Sequence, residues 1–129
     1  MRYRKVAVID DDKKSLCEIE EILLLGGYIP VVVNNALSAV DAVVQSNPDV
    51  ILLELRMPVK NGFELSDAIN RVFETKRIPL IAMSDFFEKE LGWFLDFCGI
   101  KRRLKKPFQP LDVIWAIENE IEESKNILY

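Results

Sequence analysis

Short unbroken apolar runs alternate along this chain with longer stretches in which apolar residues recur every three or four positions. The runs are Val6 to Ile9, Ile29 to Val33, Val50 to Leu53, Ile78 to Met83 and Ile100 to Leu104, the last interrupted by Arg102 and Arg103. A run without polar alternation marks a strand buried on both faces, and helical crossovers between such strands imply a parallel sheet. The periodic stretches predict helices over Lys13 to Leu25, Ala36 to Gln45, Phe63 to Phe73, Phe86 to Phe97 and Leu111 to Ile121. Five βα units result. Gly26 and Gly27 can end the first helix, Asn47 and Pro48 break the second, and Asn61 with Gly62 predict a turn before the third.

Strand ends direct attention to chemistry, because an open parallel α/β sheet gathers its functional groups at the carboxyl ends of its strands. There the chain places Asp10, Asp11 and Asp12, then Glu54, then Ser84 and Asp85, then Lys105, Lys106 and Pro107. These positions are far apart in sequence and converge in such a fold. Clustered carboxylates repel unless a cation joins them. Asp10, Asp11 and Glu54 therefore suggest Mg²⁺, which takes one or two carboxylates with waters and a phosphate oxygen at about 2.1 Å. The Ser84 hydroxyl and Lys106 ammonium could complete a cradle for phosphoryl oxygens.

Bulk properties narrow the classes. The 129 residues, 50% of them hydrophobic, fit one domain over 1–129 with a core able to fold unaided. Net charge is −4, and the basic residues are spread out apart from a cluster over Lys101 to Lys106, which argues against nucleic acid as a partner. No apolar run approaches the roughly 20 residues of a membrane span, and the beginning of the chain turns acidic too soon for a signal peptide, so a soluble cytoplasmic protein is expected. Cys17 and Cys98 lack metal-type spacing and sit in apolar helical patterns, as reduced core thiols would. There is no histidine, which removes histidine-based acid–base chemistry and most zinc sites.

The stretches VAVIDDD, DVILLELRMPVKNG, IPLIAMS and LKKPF, in this order and spacing, resemble the receiver domain of two-component response regulators, over essentially the whole chain. The resemblance implies a flavodoxin-like, doubly wound (βα)5 fold with a five-stranded parallel sheet of order 2-1-3-4-5. It implies Asp10 and Asp11 as the metal-binding acid pair, the backbone carbonyl of Arg56 as a further metal ligand, Ser84 as the switch hydroxyl and Lys106 as the phosphate-contacting lysine. It implies a sensor kinase as phosphoryl source. Three residues depart from the pattern. The phosphoacceptor position carries Glu54, whose extra methylene moves its carboxylate by roughly 1 Å or more, a displacement that can cost about a hundredfold in rate. Asp85 adds an anion beside the pocket, which repels a phosphoryl donor. Arg103 stands where the family has an aromatic that rotates inward, and burying a guanidinium there is costly. These departures predict, against the alternative of a functional Mg²⁺-dependent phosphorylation switch, a module that is not phosphorylated and holds Mg²⁺ weakly or not at all. Glu54 then either mimics a phosphorylated aspartate with one negative charge instead of about two, or only pairs with Lys106.

Two helices leave apolar stripes unexplained by the core. If Phe87, Leu91, Phe94, Leu95 and Cys98 face inward on the fourth helix, then Phe86, Trp93 and Phe97 form a second face. On the fifth helix Val113, Ile114, Ile117 and Ile121 suit the core, and Leu111 and Trp115 point elsewhere. Exposed aromatics beside Arg102 and Arg103 have the makeup of interface hot spots, and the resemblance implies that helix four, strand five and helix five bind a protein partner or a second copy. In the alternative, the aromatics fold back over the domain and the basic residues form a solvated face.

Two enzyme or cofactor readings compete. Asp10 and Asp12 make a DxD similar to that of haloacid-dehalogenase-type phosphatases, with Ser84 and Lys106 as their next two motifs. Lys14 replaces that family's Thr or Val, and no second acidic pair follows Lys106 near a strand end, so a non-enzymatic module is expected. A flavin-binding reading lacks a hydroxyl- and Gly-rich phosphate loop after the first strand.

Overall fold

The apolar runs pair side by side as one parallel sheet, which buries both of its faces under helices. The structure, a computed structural model, describes residues 3–57, 61–72, 78–85 and 89–126. Its elements are β1 (Lys5–Ile9), α1 (Lys13–Leu25), β2 (Ile29–Val33), α2 (Ala39–Ser46), β3 (Val50–Glu54), α3 (Gly62–Val72), β4 (Leu80–Ser84), α4 (Lys89–Phe97), β5 (Arg102–Lys105) and α5 (Pro110–Asn126). The strand order is β2-β1-β3-β4-β5, all parallel, as the sequence predicts. The reversal between β1 and β3 opens the crevice that such sheets use for function.

Alternation along the strands divides the core in two. Ala7, Ile9, Ile51, Leu53, Leu80 and Ala82 pack with residues of α2, α3 and α4, among them Ala39, Val43, Leu65, Ile69 and Leu95. Val6, Val8, Val50, Leu52, Ile81, Met83 and Leu104 pack with Leu16, Ile19 and Leu23 of α1 and Val113, Ala116 and Ile117 of α5. The same alternation sends Arg102 toward α5 and Arg103 toward α4.

Local chemistry sets the boundaries. Asp12 caps α1, accepting the Lys14 N–H at 3.1 Å and the Ser15 hydroxyl at 3.0 Å. The second predicted helix opens as a single 3₁₀ turn over Ala36–Ser38, capped by Asn35, before α2 begins. Asn47 ends α2 in the left-handed region at φ 48°. Gly62 is not a turn residue but the first residue of α3. A Cβ there would stand 2.7 Å from the Glu54 carbonyl oxygen and 2.8 Å from the Leu55 Cα, so only glycine lets α3 start against the end of β3. Asn61 caps that start through the Glu64 N–H at 2.9 Å.

Cys17 corrects the sequence reading. It is exposed, because Leu16, Ile19 and Leu23 turn the buried face of α1 away from it; Cys98 is half-buried, and neither forms a disulfide. On α4, Leu95 is buried as expected. Phe73, Phe86 and Phe87 lie outside the described residues, as do the side chains of Leu91 and Phe94. Among the described residues, no helix is long and apolar enough to cross a membrane.

Candidate functional site

Three chain segments meet at the carboxyl edge of the sheet, each delivered by a strand. Asp10 follows β1, Glu54 is the last residue of β3, and Lys106 follows β5. The Lys106 ammonium donates to Asp10 Oδ2 at 2.6 Å and to Glu54 Oε1 at 2.7 Å. The remaining carboxylate oxygens are also engaged: Asp10 Oδ1 accepts the Asp12 N–H at 3.0 Å, and Glu54 Oε2 accepts the Arg56 N–H at 3.1 Å. The three side chains are 13%, 1% and 8% exposed for Lys106, Asp10 and Glu54, so this is a buried cation between two buried anions. A charge on a strand of otherwise apolar residues is tolerable because every oxygen has a partner. Burial alone would lower the Lys106 pKa, but its hydrogen bonds and the charges of Asp10 and Glu54 outweigh that and hold it above the ordinary lysine value.

Around this triad lies a cleft of about 520 Å³, walled also by Asp11, Asp85, Arg56 and Pro107. Asp11 and Asp85 are exposed. Ser84 ends β4, is fully buried, and is not among the residues that wall the cleft. Its backbone carbonyl instead accepts the Lys106 N–H at 2.9 Å, which fixes the segment carrying the lysine. Pro58, Val59 and Lys60, within the RMPVKNG stretch, lie outside the described residues.

The donor set here is oxygen only, the kind that Mg²⁺ accepts. The arrangement does not suit it: among the described residues no three acidic or other ligating side chains are grouped to hold an ion, and the Lys106 ammonium already sits between the two buried carboxylates. A divalent ion in contact with both would have to displace it. Asp12, the second acid of the DxD, has both oxygens committed to capping α1, which removes it from the acid–base role that the phosphatase reading requires. Its hydrogen bond from Ser15 lowers its pKa, so it remains a carboxylate.

With this geometry in place, the sequence profile of the response regulator receiver domain matches residues 6–118. The chain belongs to the response regulator receiver family. It is a receiver domain of two-component signalling. Solved structures agree on the fold. The chemotaxis protein CheY4 of Vibrio cholerae is 23% identical, with 92% of this chain and 99% of that one covered at a TM-score of 0.86. A CheY-like receiver domain protein from Methanospirillum hungatei is 19% identical, with 97% and 98% covered at 0.87. A Francisella response regulator receiver domain is 26% identical, with 94% and 98% covered at 0.82.

The residues expected at the receiver's contact face separate onto two surfaces. Leu111 and Trp115 are 83% and 60% exposed on α5, beside β5. Trp93 and Phe97 are 68% and 80% exposed and stack on each other at 5.9 Å, but they line a groove between α4 and α3. Arg103 lies between these surfaces: its Nη2 is 3.1 Å from where a Cβ on Gly92 would be, so the bare backbone of α4 gives its guanidinium a seat.

Arg102 is not part of a solvated basic face. Its guanidinium donates to Glu120 at 3.0 Å and to Glu123 at 2.7 Å, and lies 5.4 Å from the Trp115 ring centroid. Its hydrogen bond with Glu123 leads the causes that raise its pKa, while the same contact lowers that of Glu123. Sequence reasoning missed Glu120 and Glu123. Their i, i+3 spacing on α5 was the available signal.

Proposed function

We propose that this receiver domain works as a protein-contact module whose phosphorylation pocket is occupied by its own ion triad, with Glu54 at the phosphoacceptor position and Lys106 in the role of the bound cation. The observation that carries this is the pair of Lys106 contacts, 2.7 Å to Glu54 and 2.6 Å to Asp10. To attack a phosphoryl donor, a Glu54 oxygen must use the lone pair left beside its charge-assisted bond to Lys106 or its bond from the Arg56 N–H, both of which hold the carboxylate in its resting position. Each is worth on the order of 1–3 kcal/mol at a buried carboxylate. Asp85 adds repulsion at the cleft wall. The pocket thus rests in a single arrangement, close to the paired state that a modified acceptor would reach through Lys106. Mg²⁺ has no required part in it.

Output then runs through surfaces, in the cytoplasm and without catalysis. The exposed Leu111 and Trp115 beside Arg102 on β5 and α5 support a protein partner or a second copy there, since aromatic and arginine anchors concentrate binding energy. The test is intact mass after incubation with Mg²⁺ and a small acyl phosphate, on this chain and on Glu54→Asp in parallel. The expected result is a phosphoryl adduct on Glu54→Asp alone. An adduct on the unmodified chain would overturn the proposal and make this a working phosphorylation switch.

A further inference from the structure

The two edges of the sheet are guarded differently. β5 forms one edge and reads RRLK, with a basic residue at every position but Leu104. β2 forms the other and reads IPVVV, and the sequence from Ile22 to Val40 holds no acidic or basic residue, in a chain that is 29% charged. Charged side chains are a common guard of an exposed edge against a further strand. Around β2 the surface is instead apolar. Leu25 at the end of α1 and Leu37 in the 3₁₀ turn after β2 are 85% and 72% exposed, and Ile29 and Val32 of the strand itself are exposed as well.

The backbone of β2 narrows how a further strand can pair there. The Ile29 N–H donates to the Arg4 carbonyl at 2.8 Å and the Val33 carbonyl accepts the Asp10 N–H at 3.1 Å, so residues 29, 31 and 33 turn their polar groups toward β1. Polar groups of alternate residues point to opposite sides of a strand. Pro30 and Val32 therefore face outward, where among the described residues no strand pairs with β2. Pro30 offers only a carbonyl. Within β2, Val32 is the outward residue with both a donor and an acceptor.

We infer that β2 pairs edge to edge with β2 of a second copy of this chain, antiparallel and centred on Val32. The two Val32 residues exchange N–H···O bonds across a twofold axis, and each Pro30 carbonyl meets the Asn34 N–H opposite. Centring on Val32 keeps the donor-less Pro30 nitrogens away from the middle of the ladder. Antiparallel pairing also brings Leu37, beyond the end of one β2, to the start of the other, where Leu25 and Ile29 are exposed, so the apolar residues cover one another. The partner is a second copy because the surface is self-complementary and uncharged. Two chains of net charge −4 meet with least repulsion there, and a partner chosen by opposite charge finds nothing to pair with. The joined sheet ends in β5 on both sides, where RRLK stops further growth. This contact is separate from the β5–α5 face and independent of whether Glu54 accepts a phosphoryl group.

Sedimentation equilibrium of the unmodified chain, from about 5 µM to about 500 µM, should show monomer and dimer exchanging. Amide hydrogen exchange on the same samples should slow at the Val32 N–H as concentration rises. Val32→Lys should raise the dissociation constant at least about tenfold, and Pro30→Ala, which restores the missing N–H on each copy, should lower it about tenfold. The opposite signs separate a contact at this edge from a loss of folding. A monomer across the whole range, a dimer that neither substitution moves, or concentration-dependent protection in β5 and α5 without any at Val32 would overturn the inference.

Discussion

Two groups in this domain have the same composition, one cation between two carboxylates, and differ in how far their second carboxylate is open to water. Lys106 with Asp10 and Glu54 is buried at the strand ends, and each carboxylate oxygen is taken. Arg102 with Glu120 and Glu123 lies on the outside of β5, where Arg102 and Glu120 are 16% and 10% exposed but the Glu123 side chain is 45% exposed, and Trp115 covers the cation. The first joins residues from three strand ends, so it fixes what the pocket can bind. The second straps one helix to an edge strand, so it shapes a surface. The exposure of one carboxylate, not charge count, separates the two: a buried ion pair broken on one side leaves charge that nothing compensates, whereas water can repair the Arg102–Glu123 contact.

The widest separation between the two is expected from Lys106→Met. It leaves Asp10 and Glu54 facing each other and should cost about 3–5 kcal/mol in urea unfolding. Adding Glu54→Gln to Lys106→Met should restore a large part of that, and an equal loss in the single and double variants would refute the triad.

Raising the pH tests the same contrast without mutation. Lys106 has a folded pKa above its ordinary 10.5, so its contribution is complete below that value and is lost as pH rises through the folded one. Tyr28, pushed up to about 12 by burial and then by Glu118, keeps a proton that the unfolded chain releases near 10, and acts in the same direction. Stability should therefore fall between pH 10 and about 12, more steeply than in Lys106→Met, where Tyr28 alone remains. Arg102 is raised further from an already high value and should add nothing in this window.

Arg102→Met should cost about 2 kcal/mol, because only Glu120 of its two partners is buried. Asp12→Ala should cost about 1 kcal/mol through the lost cap of α1 and leave the Lys106 triad unchanged. A change in the Lys106 ammonium signal in that variant would contradict the separation of cap and triad.

Much of this was legible in the sequence, for physical reasons that also mark the limit. Strands such as Val50–Glu54 announce themselves because both faces are buried, and the order of βα units predicts that the strand-end residues Asp10, Glu54 and Lys106 converge. Pairings that depend on rotamers across elements were not legible. Arg102 and Arg103 are adjacent and equally basic, yet strand alternation sends one to two glutamates of α5 and the other onto Gly92 of α4. Helical phase likewise misled at Cys17, one residue away from the buried stripe of α1. The single aromatic surface read from α4 and α5 divided because Trp93 and Phe97 face α3.

The claim that Lys106 fills the cation's place is tested most directly by unfolding the unmodified chain with and without 10 mM Mg²⁺ at matched ionic strength. A pocket that bound Mg²⁺ with a dissociation constant of about 1 mM would gain about 1.4 kcal/mol. The triad predicts a change no larger than that produced by the matched monovalent salt, and a gain near 1.4 kcal/mol would contradict it.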